Sequence, residues 1–189
     1  MTERKKQAKL IRLFRKIHRT MGVYLFVLFF IVSITGLLLG WKKNSNGIIH
    51  PESKQGVSSD VKTWLPLDSL QTIAFQALQN SVKKDIDLEL QRIDARPEKG
   101  IVKFVFENHY WGIQLDGTTG EVLSIEQRRS DLIENIHDGR VLDVLFKTEG
   151  EIIKLIYTTT MGLALFTFTA TGFWLWYGPQ RMRKVIKNK

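Results

Sequence analysis

Residues 21–41, MGVYLFVLFFIVSITGLLLGW, contain no charged side chain and only Tyr24, Ser33 and Thr35 as hydroxyl residues. As an α-helix rising 1.5 Å per residue, the stretch covers about 31 Å, the thickness of a bilayer's hydrocarbon. It reads as a membrane span. A second apolar run, from Leu155 to Tyr177, gives another span within residues 151–177. The chain between the two therefore leaves and re-enters the same face of the membrane.

A net charge of +9 suggests nucleic acid until it is divided along the chain. Of the 28 Lys/Arg, eight lie in residues 1–19 beside the single acid Glu3, and five follow Tyr177 with no acid. The remaining 15 face 18 of the 19 Asp/Glu, so the middle is net −3. Basic blocks next to spans hold chain ends on the cytoplasmic side. That predicts both termini inside and residues 42–150 outside. Neither block carries interleaved aromatics or a folded platform, so no nucleic-acid partner is expected. The absence of cysteine excludes disulfides, thiolate nucleophiles, iron–sulfur clusters and covalently attached c-type haem. The long basic region, the long apolar run and the lack of a small-x-small site after Gly40 predict an uncleaved anchor rather than a signal peptide.

In the basic segment 1–20, residues 8–20 predict an amphipathic helix continuous with the first span: Leu10, Phe14, Ile17 and, at the span's start, Met21 recur at helical spacing opposite Arg12, Arg15, Lys16 and Arg19. Inside that span Gly36 and Gly40, with Thr35 beside them, form a small-xxx-small surface for a neighbouring helix, either the second span or a second copy. Residues 42–66 are polar and rich in Gly and Ser, the composition of a linker. From 67 to 127 a compact domain is expected. Asp68 and Gln71 give a capping-box start to a helix of about 15 residues whose face is Leu70, Ile73, Ala74, Ala77 and Leu78. Alternating segments at Leu88–Leu90, Val102–Glu107, Trp111–Asp116 and Val122–Ile125 read as strands, joined by reversals at Glu107–Asn108 and Asp116–Gly120. Residues 128–150 open with a helix capped at Ser130 or Asp131, reach His137 and Gly139, and continue as an apolar segment suited to the membrane surface. The second span is rich in threonine and ends in an aromatic belt, Trp174, Trp176 and Tyr177, before the basic tail 178–189. The fold class is thus an α+β membrane protein, two transmembrane helices flanking a helix packed on a small antiparallel sheet.

Ile34-Thr35-Gly36 in the first span is echoed by Ala170-Thr171-Gly172 in the second. With Ile17-His18-Arg19 ahead of one span and Ile136-His137-x-Gly139-Arg140 ahead of the other, the chain resembles the PepSY-associated transmembrane family of bacteria, in a short form with two spans. Tyr110-Trp111-Gly112-Ile113-Gln114-Leu115-Asp116 and Thr119-Gly120-Glu121-Val122-Leu123 resemble a PepSY domain. The resemblance implies a bacterial inner-membrane protein with an extracytoplasmic PepSY domain. It also implies one of two roles. Larger relatives are associated with ferric-siderophore reduction and bind b-type haem through helix histidines, whereas PepSY domains elsewhere inhibit peptidases or regulate partners. Having two spans rather than three or more, this chain departs from the self-sufficient reductases.

His18 and His137 alone among the four histidines adjoin spans. Because one precedes a span leaving the cytoplasm and the other a span returning to it, they are expected near opposite faces, roughly 30 Å apart. A haem takes two axial ligands, so each iron would need a second imidazole from another copy or another subunit, with Arg19 and Arg140 available to propionates. The alternative reading makes His18 an interfacial residue and His137 a helix-end residue bonded to backbone. His50 and His109 are expected in solvent. Asp116, Thr118 and Glu121 could touch a cation or simply build a hairpin, and Glu149 and Glu151 are expected to be solvated beside the second span. Two functions remain open: a haem-carrying subunit, redox-active only as such, and a non-enzymatic accessory subunit of a larger membrane complex.

Overall fold

The computed structural model describes residues 3–187. In chain order it contains α1 (Glu3–Trp41), α2 (Leu67–Ser81), β1 (Leu90–Arg96), β2 (Ile101–Phe106), β3 (Trp111–Asp116), β4 (Val122–Gln127), α3 (Arg129–His137), α4 (Arg140–Phe146) and α5 (Ile152–Lys187). These form two compact units, one helical, comprising the chain up to Gly36 and from Asn135 onward, and one α+β, Leu37–Glu134.

In the helical unit, α1 and α5 are each long and apolar enough to cross a bilayer. Phe26, Phe30, Leu163 and Phe166 stand exposed along them, the reverse of what a core helix in water would do. Lipid is the solvent that suits such a surface. The helices meet along one stripe. Ile11 lies against Gly178, Phe14 meets the edge of Trp174 with ring centroids 6.0 Å apart, and Phe168 covers Gly22. As residue numbers rise on α1 they fall on α5, so the pair is antiparallel. Basic segment and span form one uninterrupted helix in α1, as expected, whereas the tail 178–189 extends α5 through Pro179 to Lys187. Proline there withholds the N–H that the Leu175 carbonyl would receive. At the other end of α5, the buried Asp143 of α4 accepts from the backbone N–H of Ile153 at 3.0 Å and of Lys154 at 2.7 Å, satisfying donors that a helix start leaves open. Glu151, expected in solvent, pairs with Lys154 at 3.0 Å and with Arg140 at 3.1 Å. The side chain of Glu149 lies outside the described residues.

The α+β unit is a four-stranded antiparallel meander in the order β1-β2-β3-β4. Its register places Ile93, Phe104, Ile113 and Ile125 in one row across the sheet. Beneath that row α2 buries Leu70, Ala74 and Leu78, the expected face. The helix begins at Leu67 behind Pro66, without the expected capping box: Asp68 sits within the first turn and accepts from the Ser69 N–H at 2.8 Å. A proline ahead of the first turn fixes the entry without a side-chain cap.

The segment expected to be a free linker covers the sheet's other face. Alternation in β2 predicts one exposed side, yet all six of its residues are buried. The Gln114 amide bonds both the Lys54 N–H and the Glu52 carbonyl, acting as a stand-in for a strand's backbone. Gly56 passes so close that a Cβ there would lie 2.1 Å from the Gly100 oxygen. Asp116 anchors the far end, accepting from Val57, Thr118 and Thr119 N–H groups. Burial pushes its pKa up, but these backbone donors outweigh that and hold it below the usual carboxylate range. Its oxygens serve the hairpin and the covering segment. His50, expected in solvent, is half-buried with Nδ1 at 2.8 Å from Ser130 Oγ. His109 is partly buried and bonds the Asp87 carbonyl at 2.8 Å.

Phe104 is fully buried at the centre of the sheet. Replacing it with alanine should cost about 3–5 kcal/mol, whereas Val122→Ala at an exposed position should cost less than about 0.5; denaturant unfolding of the full chain in detergent, followed by tryptophan fluorescence, compares them. His50 gives a second expectation. Burial first, then the neighbouring Arg128, Lys103 and Lys42, against an upward pull from Asp131, push its pKa down to about 4. An unfolded chain takes up that proton near 6.5 while the folded one does not, so stability should fall as pH drops from about 6.5 to about 4. His50→Gln should flatten the melting temperature over this window; an unchanged slope would mean other groups carry it.

Candidate functional site

Histidine and threonine from opposite segments of the helical unit form two matching pairs. His18 on α1 places Nδ1 3.0 Å from Thr171 Oγ1 on α5. Seventeen residues further along α1, Thr35 Oγ1 lies 2.8 Å from Nδ1 of His137 on α3. Each histidine thus reaches the Thr-Gly step of the span it does not precede.

The local sequence explains both placements. The two threonines are buried, at 7% and 4% exposure, while Thr158 and Thr169 on the same kind of helix stay exposed and bond only their own carbonyls. Glycine follows each buried threonine and leaves room for the ring: a Cβ on Gly36 would stand 3.3 Å from His137 Cε1, and one on Gly172 3.6 Å from His18 Cε1. Gly36 therefore receives an imidazole, and a Cβ on Gly40 would meet nothing within 4 Å. His137 ends α3 because Gly139 follows in the left-handed region at φ 82°. His18 is further held by Phe168, its ring centroid 4.0 Å away.

Geometry decides the tautomer. Thr35 Oγ1 lies 2.7 Å from the Ile31 carbonyl, and Thr171 Oγ1 2.7 Å from the Thr167 carbonyl. A hydroxyl has one proton, a carbonyl can only accept, and in both pairs the carbonyl is the nearer partner. Threonine therefore donates to its own helix and accepts from Nδ1–H. In a neutral ring the lone pair then sits on Nε2, which among the described residues has no hydrogen-bond partner in either histidine. Such a nitrogen can ligate a metal, and an orienting bond on the opposite nitrogen is the usual support for that role.

His18 and His137 do not meet. Their threonine partners place them 17 residues apart along α1, or about 25 Å, so one iron cannot bridge them within a chain. No cluster of three or more metal-ligating side chains occurs among the described residues. Arg19 is exposed beside His18, while Arg140 is engaged by Glu151.

The profile described as the PepSY-associated TM region matches residues 15–189. The chain belongs to the PepSY-associated transmembrane family. No curated protein sequence matches it. In this PepSY-associated protein both histidine–threonine pairs lie inside the matched region, and the four-stranded unit is the PepSY part of the chain.

The threonines were legible as helix-packing residues and as an internal echo, but not as partners of the histidines. The echo was the available signal, since a repeated Thr-Gly step facing a repeated histidine is what a two-fold arrangement writes into a sequence. Thr35→Val should free the Nδ1 of His137 and mix its tautomers while leaving His18 unchanged, and Thr171→Val should do the converse. ¹⁵N chemical shifts of labelled histidine report each ring separately; a wild-type Nε2–H tautomer would refute the assignment.

Proposed function

We propose that this PepSY-associated protein is a haem-carrying subunit of the bacterial inner membrane, oligomeric, that passes electrons across the bilayer in iron uptake, with ferric-siderophore reduction as the process served. The observation behind this reading is that Nε2 of each of two braced imidazoles has no hydrogen-bond partner among the described residues, the two rings meeting α1 at His18 and at Thr35. The residues present fit a b-type haem in donor chemistry: a neutral nitrogen, an orienting threonine on the far side of the ring, and a glycine leaving space beside it. When bound, that group supplies reversible one-electron chemistry at its iron.

His18 and His137 would each hold a haem through one imidazole nitrogen, with Arg19 as a cation for carboxylates at the first site. At the second, Arg140 is shared with Glu151. Because each end supplies a single imidazole, the second ligand comes from another copy of the chain or another subunit. The basic ends favour a topology with both termini cytoplasmic and residues 42–150 outside. Sites near both faces would suit transfer across the membrane rather than chemistry at one surface.

Protein purified from haem-supplemented cells should show a Soret band, and His18→Ala or His137→Ala should each lower bound haem by about half. Haem-free protein that keeps a stable partner after both histidines are replaced would overturn this reading in favour of a non-enzymatic accessory subunit docked through its PepSY domain.

A further inference from the structure

The covering segment and the β1–β2 turn enclose a cleft of about 540 Å³ in the α+β unit. Its lining includes Lys43, His50, Ser53, Arg96 and Lys99, with Glu52 as the acid among them. The chain between its basic ends carries more acid than base, so this concentration of cations is not a consequence of composition. The fold creates it.

Ser53 shows what the cleft lacks. Its Oγ lies 2.7 Å from Lys103 Nζ and 3.3 Å from Arg96 Nη1, both of which can only donate. Those two bonds occupy the hydroxyl's lone pairs and leave its proton without an acceptor among the described residues. Lys103 is 3% exposed, and no carboxylate lies within ion-pair distance of it among the described residues. A buried ammonium in that state is costly unless an anion balances it. The neighbouring groups report the same potential: burial and the adjacent Arg96, Arg128 and Lys99, opposed by Asp94, push the Lys103 pKa down to about 8. Arg96 is partly neutralised by Asp94 at 2.8 Å, whereas Lys43 and Lys99 form no ion pair among the described residues.

We propose that this cleft binds a phosphate-bearing anion, recognised by Arg96, Lys99 and Lys43 with the Ser53 hydroxyl. Several cationic donors converging with a hydroxyl suit the multiple acceptor oxygens of a phosphate better than the two of a carboxylate. The volume leaves space for an organic substituent. Lys43 lies two residues beyond the last residue of α1, so an anionic lipid headgroup is one source of this chemistry and a soluble phosphate the other. The site is independent of the histidine–threonine pairs and of any haem.

Isothermal titration of the full-length protein in detergent with inorganic phosphate, at constant ionic strength, tests the soluble source. Native mass spectrometry from nanodiscs containing phosphatidylglycerol tests the lipid. Saturable binding of either, weakened about tenfold or more in Arg96→Gln/Lys99→Gln and unchanged in Lys84→Gln, is the expected result. Lys43→Gln, which also alters the cleft lining, should weaken binding in the same direction and serves if the double variant loses its native near-ultraviolet circular dichroism. No saturable binding of phosphate or lipid, or equal binding by wild type and the cleft variants, would overturn the proposal.

Discussion

A polar group in hydrocarbon must find its partner inside the protein, because no water is there to replace one. The two histidine–threonine pairs follow from that constraint. A threonine on a lipid-exposed face can satisfy its proton with its own carbonyl, as Thr158 and Thr169 do. An imidazole cannot satisfy itself in this way, so it needs a hydroxyl whose proton is already committed. Thr35 and Thr171 are those hydroxyls, and their bonds join α1 to α3 at Thr35 and to α5 at His18. Among the described residues, the nitrogen on the far side of each ring has no hydrogen-bond partner.

The α+β unit meets the same accounting in water. Its sheet has an apolar face sealed by α2 and a polar face that would be solvated in an isolated meander. The segment from His50 to Trp64 covers that face by bonding to Gln114 and Asp116 and by the close passage at Gly56, and Ile101 and Val105 are buried beneath it. Covering it encloses Lys103, which sits opposite Asp94 and Gln114 in the sheet register. That enclosed ammonium donates to Ser53 Oγ at 2.7 Å.

Several structural features were readable because they depend on local pattern. The two spans, the apolar face of α2, the four strands and the break at Gly139 follow from charge-free length, periodicity and turn residues, each a property of a few adjacent positions. The mistaken expectations share a cause. Residues 42–66 have the composition of a linker, but their place on the sheet depends on side chains some 60 residues away, Gln114 and Asp116. His50 was expected in solvent for the same reason: its partner Ser130 comes from another element.

The sequence alone determined that this polypeptide enters the membrane twice, carries a small α+β domain between its spans, and has one histidine leading into each span. These are statements about hydrophobic length and residue order, which no packing can alter. Only the tertiary structure decided which atoms the histidines present. A ring's tautomer depends on what lies within 3 Å of it, and here that is a threonine more than a hundred residues away in the chain.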